Sequence, residues 1–191
     1  MRKNLIVVAG PNGAGKTTFV RDYLEQDPRA FLSADDLAAK ISPDRPEAAR
    51  IEAGREFSRQ LRARIKAGES FAIEATLAGL TLQQVIREAR KEGYWISIVF
   101  IFLESSQACV KRVRERVQKG GHNVPEADIL RRFVRSKRNF WQTYRAQSDV
   151  WFLFYNASDV FQQVAFGEAM AYEVTDAELF ALFMKDLGHE S

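Results

Sequence analysis

LIVVAGPNGAGKTTFV, residues 5–20, sets an apolar run against a loop of small residues and then a cationic, hydroxylated helix start. The spacing is that of a phosphate-binding P-loop: Gly10, four residues (Pro11, Asn12, Gly13, Ala14), then Gly15, Lys16 and Thr17. Small residues matter because backbone N–H groups from Gly13 to Thr18 can wrap an anion only where few side chains crowd the loop. A helix opening near Gly15 adds its positive dipole end beneath that anion. Lys16 then neutralises the outer phosphates, and the Thr17 hydroxyl reaches Mg²⁺.

Outward from this loop, apolar runs alternate with helical patterns. The spacing predicts a first helix over residues 17–26, ended by Asp27-Pro28, and a short apolar run, residues 30–32, leading into Ser33-Ala34-Asp35-Asp36. A short helix is expected from Leu37 to Ile41, with Asp35 or Asp36 available to cap it, and a long one from Pro46 to about Ala67. Phe71-Ala72-Ile73 reads as a strand closed by Glu74-Ala75-Thr76, and the run from Tyr94 to Leu103 as a strand buried on both faces. Helices are expected from Ser105 or Ser106, with Val110, Val113 and Val117 inward, and from Glu126, with Leu130, Phe133, Val134, Phe140, Trp141 and Tyr144 on one stripe. The tryptophans and Cys109 read as packed residues. A strand over 150–155, one or two strands within 160–174 and a final helix over 176–187 complete the series.

This alternation implies an α/β three-layer P-loop NTPase fold with a mainly parallel sheet flanked by helices, over one domain of residues 1–191. Ligands of such sheets lie beyond the carboxyl ends of the strands, where the P-loop, Asp35-Asp36 and Glu74–Thr76 all fall. Composition agrees: 46% apolar residues exclude disorder, and a single cysteine excludes an internal disulfide and a cysteine metal cluster. With no apolar run of membrane-spanning length and an N-terminus too short for a signal peptide, a cytoplasmic protein with no membrane partner is expected.

Net charge is only +3, yet residues 111–138 hold ten Lys or Arg against three acids. Such an excess attracts nucleic acid or a phosphorylated small molecule. The chain lacks the strand-end Asp-Glu pair of motor ATPases, the Ser-Gly-Gly signature of transporter ATPases and the Asn-Lys-x-Asp of guanine-nucleotide switches. What it has is the set a small-molecule kinase needs: a P-loop, an acid for the acceptor hydroxyl at Asp35, and a helical arginine lid at about 111–138. A nucleic-acid-binding ATPase, or a nucleotide-binding partner protein without turnover, is the alternative. A core stripe interrupts the basic residues, and no separate recognition module stands beside them, which makes nucleic acid the weaker partner.

Four stretches, GPNGAGKTT (10–18), SADDLA (33–38), FAIEATLAG (71–79) and RVRERVQKGGHNVPEADILRRFVRS (112–136), together resemble the zeta-toxin-like P-loop kinases, in the subgroup described as ABC-type ATPases or kinases. The resemblance runs from about Leu5 to Phe140 and implies a fold like that of the nucleoside-monophosphate kinases. It implies ATP and Mg²⁺ as cofactors, bound through Lys16 and Thr17, and a nucleotide-sugar-like acceptor, since zeta toxins phosphorylate the 3′-hydroxyl of UDP-N-acetylglucosamine. In it Asp35 is the base toward that hydroxyl, Glu74 and Thr76 hold the acceptor, and Arg116 reaches the phosphates. A second lid arginine is Arg132 or Arg135, with motif position favouring Arg132, because the GGHNVP turn differs in length from that of the zeta toxins. A small helical antitoxin covering the ATP site is the implied partner.

Overall fold

Seven strands form one sheet in the order β2-β3-β1-β4-β5-β6-β7. They are β1 (Asn4–Ala9), β2 (Phe31–Leu32), β3 (Phe71–Ala75), β4 (Trp95–Phe102), β5 (Val150–Ala157), β6 (Val160–Glu168) and β7 (Ala171–Val174). The helices are α1 (Lys16–Tyr23), α2 (Ala34–Ile41), α3 (Arg50–Ala67), α4 (Leu82–Lys91), α5 (Ser106–Gln118), α6 (Glu126–Asn139) and α7 (Ala177–Lys185). This computed structural model describes residues 2–23, 31–121, 123–158 and 160–188, without the side chains of 46, 47 and 50. The expected helix end at Asp27-Pro28, and both histidines, His122 and His189, lie outside the described residues.

The pairs β2–β3, β3–β1, β1–β4 and β4–β5 are parallel; β6 and β7 add antiparallel to the β5 edge. Because strand side chains alternate, each central strand feeds two cores. Leu5, Val7, Ile73, Ile96, Ile98, Phe100, Phe102, Trp151 and Leu153 meet residues of α2, α3, α4 and α7, with Phe140 and Tyr144, on one face. On the other face Val8, Val99 and Ile101 meet Phe19 of α1. The two-sided burial explains why residues 98–103 read as a continuous apolar run. The outcome is the expected α/β fold, a mostly parallel sheet flanked by helices.

Several local expectations are corrected. The helix expected from Leu37 starts at Ala34, because Ser33 has an extended backbone and its Oγ accepts from Asp36 N at 3.4 Å. Asp35 and Asp36 therefore lie in the first turn instead of capping it. On α5 Val110 and Val113 are buried, but Val117 is more than a third exposed; on α6 Leu130 and Val134 are similarly exposed. The buried α6 positions are Ile129, Phe133, Ser136 and Lys137, followed by Phe140 and Tyr144 in a π-helical turn (Phe140–Tyr144). Trp151 is fully buried, whereas Trp95 and Trp141 are only partly so.

Lys137 breaks the pattern because its ammonium is not solvated. Only 1% of the residue is exposed; its ammonium lies among Phe102, Phe133 and Phe183 and bonds the Asp186 carboxylate just past α7. Burial pulls its pKa below the usual lysine value, while Asp186 opposes that shift. The pair ties α6 to the C-terminal helix. Cys109 of α5 is fully buried, beside Val110, Val113, Ile129 and Phe133.

Removing Asp186 should leave an uncompensated buried cation: Asp186→Asn is expected to cost about 3 kcal/mol in urea unfolding, whereas Lys137→Met, which removes charge but keeps volume, should cost less than about 1.5 kcal/mol. Burial raises the Cys109 thiol to about 12, so almost none is thiolate at neutral pH. A thiol reagent at pH 8 should accordingly modify Cys109 only after denaturant is added, as read by mass spectrometry.

Candidate functional site

The phosphate loop runs from the end of β1 to the start of α1, pressed against its neighbours at its glycines. Gly13 has φ +82°, and a Cβ there would stand 2.7 Å from the Cys109 carbonyl oxygen. Gly15 has φ +90°, and a Cβ there would stand 2.3 Å from Asn156 Nδ2. Both the left-handed backbone and the missing side chain are needed. Asn156, at the end of β5 and 1% exposed, donates its Nδ2 to the Ala14 carbonyl at 2.9 Å. Arg112 of α5 in turn donates to the Asn156 carbonyl at 3.4 Å. Sequence reasoning missed Asn156; the available signal was a polar residue at the C-terminal end of the apolar run VWFLFYN.

Register then places the first acid. In the parallel β1–β3 pair, Val8 is opposite Glu74 and Ala9 opposite Ala75, so Glu74 leaves its strand level with the loop. Its Oε2 accepts from Thr17 Oγ1 at 3.0 Å, and its Oε1 lies 3.5 Å from Lys16 Nζ. Lys16, 4% exposed, also donates to the Pro11 carbonyl at 3.0 Å. Glu74 thus pairs with the lysine and the threonine of the loop.

Two cavities meet at Glu74. The first, about 520 Å³, is lined by Gly13, Gly15, Lys16, Thr17 and Thr18 of the loop, by Arg112 and Arg116 of α5, and by Ser158. The second, about 720 Å³, lies between α2, α3, α4 and the β3–α4 loop; Asp35, Phe57, Arg62, Thr76, Arg87 and Arg132 contribute to its wall. Glu74 is the one residue lining both. Asp35 and Arg132 share the second cavity, while Arg116 sits in the first. Arg135 is exposed and lines neither.

The remaining loop residues have other surroundings. Gly10 donates to the Ala75 carbonyl at 3.3 Å and Ala14 is packed in the core, while the buried Asn12 accepts from Arg132 Nη1 at 3.3 Å. Thr76 Oγ1 accepts from Ala78 N at 3.4 Å, and the loop beyond is held by Asn139 at the end of α6, which donates to the Leu77 carbonyl, and by Tyr144 of the π-helical turn, which donates to the Gly79 carbonyl, both at 2.7 Å. Partial burial, then the Glu74 charge, hold the Asp36 carboxyl above its usual pKa, so acids converge here.

The donor set fits a nucleotide triphosphate with its metal: a glycine cradle that any Cβ would fill, a buried lysine, and a hydroxyl already paired with a carboxylate. Among the described residues there is no cluster of three or more His, Cys, Asp or Glu that could hold a metal ion, so a metal bound at Thr17 would need ligands from the phosphates and water. No helix of the described residues is long and apolar enough to cross a membrane.

Comparison with known proteins agrees with this geometry. Over 131 residues the chain is 30% identical to an uncharacterized protein of Haemophilus influenzae, covering 69% of this chain and 92% of that protein. Among solved structures, the AvrRxo1-ORF1:-ORF2 complex with ATP is similar at TM-score 0.78 and 16% identity; all of this chain aligns, spanning 66% of that one. The PezAT chromosomal toxin–antitoxin system of Streptococcus pneumoniae is similar at TM-score 0.65 and 15% identity, over 100% of this chain and 80% of that one. A kinase-titled structure from Chloroflexus aurantiacus matches at TM-score 0.57 and 18% identity, over 71% of this chain and 80% of that one. At these identities the likeness is one of fold, a mostly parallel α/β sheet flanked by helices. The AAA_33 family model, described as an AAA domain, matches residues 5–136, and the chain belongs to that family.

Proposed function

We propose that the chain is a small-molecule kinase, one domain with a helical lid at about 111–138, which transfers the γ-phosphoryl of ATP to a hydroxyl of an acceptor. The observation that carries this reading is the pair of cavities abutting at Glu74, phosphate-binding groups on one side and Asp35 with Arg132 on the other. A hydrolase needs room for water alone; a second cavity of about 720 Å³ suits a bound acceptor.

In this reading the loop amides and Lys16 hold the β- and γ-phosphates, and Arg116 faces them from α5. Thr17 Oγ1, beside the Glu74 carboxylate, would hold Mg²⁺, which would supply neutralisation of the phosphate charge. Asp35 accepts the proton of the acceptor hydroxyl as its oxygen bonds the γ-phosphorus, and the bond to the bridging β–γ oxygen breaks to release ADP. Arg132 stabilises the charge on the transferring group from the acceptor side. Phe57 offers a face for a planar or apolar moiety, and Arg62 and Arg87 suit an anionic one. A nucleotide sugar combines these parts, a UDP-N-acetyl sugar being the candidate that the zeta-toxin resemblance names. The AvrRxo1 structure pairs ORF1 with ORF2 and PezAT is a toxin–antitoxin system, which supports a small antitoxin-like partner for this chain as well.

Incubation with ATP, Mg²⁺ and a panel of nucleotide sugars, read by mass spectrometry, should give a product heavier by one phosphoryl group. Nucleic-acid-stimulated hydrolysis with no phosphorylated small molecule would remove the kinase reading. Lys16→Ala should abolish ATP binding, whereas Asp35→Asn should keep it and lose transfer by roughly 100-fold or more; an unchanged rate in Asp35→Asn would exclude it as base. Glu74→Gln tests the carboxylate on Lys16: ATP affinity should rise about threefold without Mg²⁺, where a competing anion has gone, and fall with Mg²⁺ present.

A further inference from the structure

The lysine and one lid arginine are tethered to consecutive residues of the same loop. Lys16 Nζ donates to the Pro11 carbonyl at 3.0 Å, and Arg132 Nη1 donates to Asn12 Oδ1 at 3.3 Å, across 120 residues of sequence. Asn12 is 6% exposed, so its amide is not a solvated loop side chain. A guanidinium only donates, which requires the amide oxygen to face Arg132. At its other side Arg132 Nη2 lies 3.5 Å from Asp128 Oδ2, one turn back on α6, and Asp128 also accepts from Arg131 at 2.7 Å. The Arg132 side chain is thus strung between its own helix and the phosphate loop while lining the acceptor cavity.

We infer that Asn12 is a positioning residue that docks Arg132, and with it the N-terminal half of α6, onto the phosphate loop before nucleotide binds. The inference rests on the ATP-binding kinase reading for its consequence, though not for the docking itself. A free arginine loses much rotamer freedom when it engages phosphate; one already held loses little at that moment. Asn12 therefore acts on the nucleotide through Arg132. It also distinguishes the two lid arginine candidates physically: Arg132 reaches a loop acceptor, whereas Arg135, nearly a turn further on, is exposed.

The docking is tested without any nucleotide. Hydrogen–deuterium exchange of residues 126–135 should speed up several-fold in Asn12→Ala, while Asn12→Asp, which keeps an oxygen acceptor, should exchange like the wild type. Unchanged exchange in Asn12→Ala overturns the docking even if the protein proves not to be a kinase. The consequence is tested by a double-mutant cycle on Mg·ATP affinity, measured by calorimetry. Asn12→Ala should weaken binding on the order of fivefold, and by less than about twofold once Arg132→Ala is present. An equal loss in both backgrounds would mean that Asn12 acts on the loop or the nucleotide directly, and the inference fails. Wild-type protein that exchanges as expected but binds no ATP would instead sink the kinase reading alone.

Discussion

Close approach of the phosphate loop to its neighbours is the constraint on which the site depends. Gly13 lies against the Cys109 carbonyl and Gly15 against the Asn156 amide, with no space for a side chain at either. That contact sets the distance from β1 to α5, and so brings Arg112 and Arg116 over the loop. It also ties the loop to the end of β5 through the Asn156–Ala14 bond. Gly10 N–H and Ala14 N–H are spent on the Ala75 and Pro11 carbonyls, and neighbouring elements hold the rest of the loop through the Ala14 carbonyl and by packing.

The β1–β3 pairing supplies the second half of the site. With no strand between the loop strand and the Glu74 strand, the carboxylate falls between Lys16 and Thr17 and divides one cavity from the other. Helix α6 lies on the far side, fixed at its C-terminal end by Lys137 to Asp186 and by Asn139 to Leu77, just beyond that end by Tyr144 to Gly79, and at its middle by Arg132 to Asn12. Basic residues that look alike in sequence thus divide among quite different uses. Arg112 and Arg116 line the cavity at the phosphate loop, Arg132 bridges that loop and the second cavity, Lys137 is buried structure, and Arg114 and Arg131 pair with acids on the surface.

Legibility in the sequence followed the range of the interactions. Local chemistry was readable: the P-loop spacing, the order of strands and helices, and the strand-end placement of Asp35 and Glu74. Helix starts were less so, since Ser33, two residues ahead of Asp35, satisfies the orphan N–H groups and frees both aspartates. The α6 stripe was misread at Leu130 and Val134 because an amphipathic pattern is ambiguous when a lysine occupies the core. Lys137 is buried only because Asp186 and three phenylalanine rings, distant in sequence, receive it.

By itself, then, the sequence determined the phosphate loop, the α/β class and the presence of a basic helical pair, since each follows from contacts within a few residues. Only the tertiary structure decided that Glu74 stands on Lys16 and Thr17, that Asn156 holds the loop, and that Arg132, unlike Arg135, reaches it. Those choices depend on strand register and on the angle at which α6 meets the sheet. Both are set by packing between segments far apart in the chain, which no local pattern encodes.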